Sequence, residues 1–594
     1  MFMTFENLIT NAITAVIVWI AAFAVYMFCN KGVARNARGQ QLRRYLFSSV
    51  LALVPLSAVD ADILQPAVGM AAAVALAWIV TFPLLYHLTN RKTATGYDNQ
   101  IDIAFGIYMF GLLTGLLAAF PLSRYVIGLL EFALLMVPVA MWIYYFVCKE
   151  CINVNGMKML QETHYNEIIE FLRSYHPVKV VGAALCIACL CGACMAINIS
   201  YCFEEGDAGF IQKAIAAAVT AFMAVYSFKP HHGLLVRTGI WNLYTVVKDY
   251  VDSNSRYITD RQQRMDKLTV TPIVSKTHRP QTVVMVIGES ASRDFMSTFT
   301  DVDVETTPWM TAMRKDNPNC IIYRNAYSCD VQTVPSLEKA LTEYNQYEDG
   351  EFHTSCSIVD IAHKLGWKVH WYSNQGHLGA ADTPITLVAE TADVAKWTCQ
   401  ELNKIQYDES LIEFLDEVSP DTDNLLVLHL KGSHFNFENR FPRKTRQWGT
   451  PGDNDNITNY KNSLYYTDSV LQRFFDYGRR RLNMQAMVYF SDHACVPDRH
   501  RLPNFGGFGD IRIPLMVWMS DEYVEQHPAR AAALKANAGC FWTNDLAYEL
   551  MCGIMDIKSN RFDESNSLAS SDYKYTREML VSMGGKIKIS NDTI

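Results

Sequence analysis

The sequence predicts a multispan α-helical membrane domain over residues 1–228, a connector over 229–280 and an α/β soluble domain over 281–594. Three observations predict it. Apolar runs crowd the first third of the 594-residue chain, each long enough, or nearly so, to cross the ~30 Å hydrocarbon core of a bilayer. After residue 280 the pattern changes to short β-branched segments between helical stretches, as in a parallel sheet buried on both faces. Several of those segments end in carboxylate or imidazole groups, and in open α/β sheets ligands bind at the carboxyl ends of the strands.

The apolar runs fall at about 9–28, 45–62, 67–88, 103–120, 125–148, 178–200 and 211–228, giving an expected five to seven spans. The first run lacks a basic flank and a small-residue cleavage site, which argues against a removed signal peptide. Loops carrying Lys31, Arg35, Arg38, Arg43 and Arg44, then Arg91 and Lys92, then Lys149 and Lys158 belong in the cytoplasm by the positive-inside rule. The acidic loops Asp60-Ala61-Asp62 and Glu204-Glu205-Gly206-Asp207 fit the opposite side. That scheme starts the N-terminus outside and brings the chain outside again near residue 200. A further full span at 211–228, carrying Lys213, would return it to the cytoplasm. An external soluble half therefore needs one run to be interfacial or re-entrant, or the charge rule to fail at one loop.

Over 229–280, Trp241, Tyr244 and Tyr250 precede a charged stretch from Asp260 to Lys267. This reads equally as an interfacial segment with rings at headgroup depth or as an amphipathic linker helix. Eight of the fifteen cysteines precede residue 203, and Cys186, Cys189, Cys191 and Cys194 share one apolar run, where they read as packing residues of a membrane helix. The seven downstream are compatible with some disulfides outside the cytoplasm. A net charge of −8, with no basic arm in the soluble half, excludes a nucleic-acid binder.

In the soluble half, strands are expected at 282–287, 367–372, 425–431, 486–491 and 513–519. Gly288-Glu289-Ser290 closes the first and sets a carboxylate where the chain turns; Ser491-Asp492-His493 closes the fourth. Adjacent Asp and His offer an oxygen and a nitrogen to one ion, which suits zinc. Between them, the stretch from Ser328 to Leu337 leads into a helix-like run and contains Thr333-Val334-Pro335-Ser336. Ser290, directly after Glu289, is a candidate nucleophile, although a serine after a strand also caps the turn into a following helix.

The segments Val286-Ile287-Gly288-Glu289-Ser290, Thr333-x-x-Ser336-Leu337, His429-x-x-Gly432-Ser433-His434 and Ser491-Asp492-His493 resemble the phosphoethanolamine transferases of the alkaline phosphatase/sulfatase superfamily. The likeness covers about 280–555, and a preceding multispan membrane half also fits that family. The resemblance implies that Glu289, Thr333, Asp492 and His493 hold one Zn2+ ion, with Mn2+ as the alternative, and that Thr333 is the nucleophile. It implies that His429 and His434 face the phosphate or the headgroup. Arg293, one turn beyond Glu289, and Asn374, after the strand at 367–372, are candidate donors to phosphate oxygens. The implied reaction is ping-pong: Thr333 attacks phosphatidylethanolamine, diacylglycerol leaves, and a lipid A or surface-glycan acceptor takes the phosphoethanolamine. The implied location is the bacterial inner membrane, multi-pass, with the catalytic domain on the periplasmic side.

Two departures bear on that transfer. After Ser-Asp-His the lipid A-modifying members continue Gly-Glu-Ser and have a later His, whereas here Ala494-Cys495-Val496-Pro497-Asp498-Arg499-His500 follows. His500 either takes the place of the later histidine or is a surface residue. Those members also bond a cysteine near Cys329 to one in the helix after the threonine, which this chain lacks; Cys356 with Cys399 is a substitute pairing. The alternatives are a glycerol-phosphate transferase or phosphodiesterase of the same superfamily, using the same ion and threonine, or an inactive membrane sensor or scaffold. A sulfatase is set aside because threonine cannot become formylglycine.

Overall fold

The apolar segment Thr282–Gly288 (β1) is buried at every position, and that requires a strand on each edge and a layer on each face. A computed structural model of the chain supplies both. It describes residues 5–29, 35–55, 66–89, 100–148, 152, 157, 173, 177–200, 210–273, 279–375, 383–398, 405–452, 455–499 and 505–594. The chain divides into two compact units, one of residues 1–160 and 175–248 and one of 161–174 and 249–594.

The soluble unit is built on a seven-stranded sheet. After β1 come Cys320–Tyr323 (β2), Lys368–Ser373 (β3), Val394–Trp397 (β4), Asn424–His429 (β5), Met484–Ser491 (β6) and Leu515–Met519 (β7). Their spatial order is β2-β7-β6-β1-β5-β3-β4. Strands β6, β1, β5, β3 and β4 are parallel, while β7 runs antiparallel to β6 and β2. The all-parallel expectation is corrected at that edge, and β2 and β4 are additions. Both are four residues long, and β4 is only half-buried along its length, so neither shows the long apolar run that marks a central strand.

The register places the functional strand ends side by side: Ile287 pairs with His429, and Gly288 with Ser491. Two apolar layers sandwich the sheet. One gathers Val283, Met285 and Ile287 with Trp371 and Val488; the other gathers Val284, Val286, Leu428 and Tyr489 with the inner face of a long helix, Asn456–Arg481. That helix contains Asn462 to Asp468, and its polar groups serve packing. Asp468 accepts the backbone N–H groups of Trp309 (2.7 Å) and Met310 (3.1 Å), and Asn462 accepts that of Gln447 (2.7 Å).

The N-terminal unit is a helical membrane domain: Phe5–Cys29 (α1), Arg35–Leu53 (α2), Pro66–Thr89 (α3), Gln100–Ala119 (α4), Arg124–Cys148 (α5), Pro177–Ser200 (α6) and Phe210–Phe228 (α7). Among the described residues, three windows are long and apolar enough to cross a bilayer: Pro66–Leu85, Arg124–Phe146 and Val180–Ser200. Shorter apolar stretches lie in α1, α4 and α7. The expected run at 45–62 does not appear as such a window. Its helix begins with Arg35, Arg38, Arg43 and Arg44 and ends at Leu53, and residues 56–65 lie outside the described residues. Asn198 of α6 donates to the buried Glu131 of α5 (2.6 Å). Cys186 and Cys189 are exposed on α6 while Cys194 is buried. Residues Gly239–Thr259 of the connector form a helix (α8).

Candidate active site

Parallel strands deliver their carboxyl ends to one edge of the sheet, and at that edge β1 hands over to Glu289 and β6 to Asp492 and His493. Each offers a ligand atom, these atoms lie within 4.8 Å of one another, and all three residues are buried. His493 Nε2 is 3.2 Å from Asp492 Oδ2 and 3.4 Å from Glu289 Oε1. Its Nδ1 lies 2.9 Å from the Ala494 carbonyl, which can only accept, so Nδ1 carries the hydrogen. In the neutral ring that leaves the Nε2 lone pair facing two carboxylates. Electron-rich atoms so arranged form a donor set for a divalent cation, and the imidazole favours zinc within it.

Two hydroxyls reach this cluster. Thr333 opens the helix Thr333–Ala340 (α9). Its Oγ1 donates to Glu289 Oε2 at 3.1 Å and lies 3.4 Å from His493 Nε2. Ser290 sits in the left-handed region at φ +57°, its N–H bonded to Asp492 Oδ1 (2.9 Å) and its Oγ to Glu289 Oε1 (2.6 Å). Thr333 is half-buried whereas Ser290 is 2% exposed, so of the two hydroxyls the threonine is the more open to a substrate.

The ligand-bearing loops are fastened through their backbones. The Asp492 carbonyl accepts from Ser328 Oγ (2.5 Å), Ser336 Oγ (2.6 Å) and Asn544 Nδ2 (2.6 Å), tying the Thr333 segment to the end of β6. Asn544 Oδ1 in turn accepts the Cys329 N–H at 2.9 Å. On the other side, buried Asp408 accepts the N–H groups of Lys431 (2.7 Å) and Gly432 (2.9 Å), and Ser433 N–H donates to the Glu289 carbonyl (2.9 Å). Burial pushes the Asp408 carboxyl above its ordinary value, with the hydrogen bonds from Asn374, Lys431 and Gly432 opposing. Gln375 Nε2 spans from Glu289 Oε2 (3.3 Å) to the Leu430 carbonyl (2.7 Å).

The predicted residues divide in their placement. Glu289, Thr333, Asp492 and His493 come together. His429 ends β5, and its buried Nε2 has no hydrogen-bond partner among the described residues. Burial lowers its pKa to about 4, Lys431 adding to the effect and Glu289 opposing it, so the ring is neutral. His434 follows on the next turn, half-buried. Arg293 lies apart from the cluster: its guanidinium bonds to the Ala326 carbonyl and lies 4.5 Å from the centre of the Tyr327 ring, buried in packing. The Asn374 amide serves Asp408 (2.8 Å) and Thr398 (2.7 Å), while its neighbour Gln375 reaches Glu289. His500 and Cys399 lie outside the described residues. Asp408 and Asn544 carried no sequence signal, since each stands in a segment without a motif.

The sulfatase family matches residues 281–551. The phosphoethanolamine transferase EptC of Escherichia coli is 27% identical over 272 residues, 42% of this chain and 47% of that one. Phosphoethanolamine transferase OpgE of the same organism is 29% identical over 331 residues, 52% of this chain and 59% of that one. The matched stretches thus span about half the length of these curated relatives. The integral membrane lipooligosaccharide phosphoethanolamine transferase A of Neisseria meningitidis superposes with a TM-score of 0.56 at 17% identity, over 84% of this chain and 98% of that one. That likeness gives the same fold from membrane helices to α/β domain.

Proposed function

We propose, for a chain whose residues 281–551 match the sulfatase family and whose relatives include phosphoethanolamine transferases, that it moves phosphoethanolamine from phosphatidylethanolamine to a lipid A or surface-glycan acceptor through a covalent intermediate on Thr333. The observation that carries this reading is the half-buried Thr333 hydroxyl, poised at a helix start 3.4 Å from His493 Nε2 and bonded to Glu289. Glu289, Asp492 and His493 would hold a divalent cation, zinc by preference, with Thr333 completing the set. When bound, such an ion favours the threonine alkoxide and draws charge from phosphoryl oxygens.

The residues themselves account for the rest. Thr333 Oγ1 releases its proton along the bond to Glu289 Oε2 and forms the new P–O bond; the diacylglycerol oxygen leaves with its electron pair and takes up a proton. An acceptor hydroxyl then gives its proton to Glu289 and attacks the same phosphorus, and Thr333 takes that proton back from Glu289 as the P–O bond to it breaks. Neutral His429, with its free Nε2, is suited to a phosphate oxygen or to the headgroup, and His434 beside it to the other. A donor that lives in the bilayer gives the helical unit its purpose, and in this reading the soluble unit works on the periplasmic side of the inner membrane.

The test is intact-mass analysis of the purified protein after incubation with phosphatidylethanolamine and zinc, beside Thr333→Ala. One added phosphoethanolamine on the wild type alone supports donor, nucleophile and covalent route together. An adduct on both moves the nucleophile, with Ser290 next in line. An adduct on neither, without diacylglycerol release, points to another donor headgroup, as in a glycerol-phosphate transferase.

A further inference from the structure

Beyond the far end of α9, a cavity of about 360 Å3 opens in the soluble unit. Five carboxylates line it: Glu343, Glu348, Asp349, Glu549 and Asp563. Arg561 pairs with Glu343 at 3.2 Å and Lys574 with Asp563 at 3.2 Å, which leaves three acids uncompensated by an ion pair among the described residues. Glu549 is the decisive one. It is 3% exposed, and its Oε2 is buried without a hydrogen-bond partner, as is Oδ1 of the fully buried Asn566. Asn566 spends its amide nitrogen on Glu348 Oε1 at 2.9 Å. Burial raises the Glu549 carboxyl well above its ordinary value, the charges of Glu348, Asp563 and Glu343 raise it further, and a hydrogen bond with Asn566 opposes them. An unmet acceptor, Glu549 Oε2, in a strongly acidic wall calls for a guest that is positive and can donate hydrogen bonds.

A bare metal ion fits poorly. Among the described residues the groups whose ligand atoms converge on one point are Glu289, Asp492 and His493, and the carboxylates of the cavity do not converge in that way. The volume suits a small molecule, and the wall adds the rings of Tyr344 and Phe562, surfaces that attract ammonium groups. Tyr344 already carries one on its ring, with Lys339 Nζ 5.0 Å from the centroid. We propose that this cavity binds a small organic cation, an amine whose ammonium donates to Glu549 Oε2. The eight-residue α9 separates it from Thr333 by about 12 Å of helix. A phosphoethanolamine held on Thr333 cannot reach it, so this is a second site.

The experiment is calorimetric titration of the full-length protein in detergent with putrescine, with ethanolamine and calcium chloride as separate arms, on wild type, Glu549→Gln, Asp349→Asn and Thr333→Ala. Wild type is expected to show saturable one-to-one putrescine binding, weakened roughly tenfold or more in Glu549→Gln by loss of a charge-assisted hydrogen bond. Asp349 is exposed, so Asp349→Asn leaves folding intact and weakens binding a few-fold, while Thr333→Ala binds putrescine as wild type does. Ethanolamine binding with the same dependence on Glu549 also supports the site. Absence of saturable heat with either amine, equal affinity in wild type and Glu549→Gln, or saturation by calcium alone would overturn the proposal.

Discussion

Gly432→Ala tests whether the edge of the active site is held by backbone packing. Gly432 sits at φ +48°, and a Cβ there would lie 2.8 Å from the Glu289 carbonyl oxygen, 2.9 Å from its nitrogen and 3.2 Å from its Cβ. Ordinary contact begins at 3.4 Å, and two of the obstructing atoms are backbone, so the Lys431–Gly432 turn and Glu289 must part by several tenths of an ångström. The left-handed backbone costs an alanine about 1 kcal/mol, and forcing apart a packed contact adds roughly 1–3 kcal/mol. Gly366→Ala isolates the first effect, because Gly366 has φ +80° and open space where its Cβ would be. Denaturant unfolding should therefore show Gly432→Ala about 2–4 kcal/mol less stable than wild type and Gly366→Ala about 1 kcal/mol less. Displacing Glu289 should also slow formation of the Thr333 adduct about tenfold or more, since catalytic groups tolerate little misplacement. If Gly432→Ala matches Gly366→Ala in stability and forms the adduct at the wild-type rate, the turn does not set the position of Glu289.

Three further predictions follow from the same geometry. Ser290→Ala should still accept phosphoethanolamine, with peptide mapping placing it on Thr333, because the Ser290 hydroxyl is spent on Glu289 Oε1; loss of the adduct in a folded variant would make Ser290 the nucleophile. Gln375→Ala, which removes the amide donor to Glu289 Oε2, should weaken zinc affinity about 10–100-fold by chelator competition, and unchanged affinity would remove Gln375 from the site. Burial raises Asp468 to about 7, so its favourable contribution is complete below the unfolded carboxylate value and is lost as pH rises through about 7. Stability should then fall by up to about 4 kcal/mol across that window, a dependence that Asp468→Asn should flatten in unfolding curves taken at several pH values.

What could be read from the sequence follows from how local each feature is. The central strands β1, β5 and β6 announce themselves as continuous apolar segments, and the groups that end them follow directly in the chain, so Glu289, Asp492 and His493 were legible. Strands β2 and β4 were not, being four residues each at or beside the sheet edges. The antiparallel entry of β7 depends on a pairing across the sheet that no local pattern encodes. Distance along the chain puts Arg293 near Glu289, but the chain turns there and sends its guanidinium toward Ala326 and Tyr327. Side chains past the end of a strand point in different directions, so Gln375 is aimed at Glu289 while its neighbour Asn374 bonds to Asp408 and Thr398. Asp408 and Asn544 act on backbone groups far away in sequence, and a residue that binds backbone leaves no partner motif to find.

Strand register accounts for the site more fully than any single side chain does. Glu289 and Asp492 meet because Gly288 pairs with Ser491 on the adjacent parallel strand. A slip of one residue between β1 and β6 would move Glu289 along the strand by about 3.3 Å, as much as the 3.2–3.4 Å that now separates His493 Nε2 from its two carboxylates. The donor set would come apart. Such a slip would also exchange the two faces of β1, and because both are buried against differently shaped layers, packing alone penalises it. The hydrophobic core on both sides of β1 therefore specifies the geometry of this candidate donor set. Asn544 and Asp408 then bring the Thr333 helix and the Gly432 turn to that fixed edge, and it is their placement that leaves Thr333 open and Ser290 enclosed.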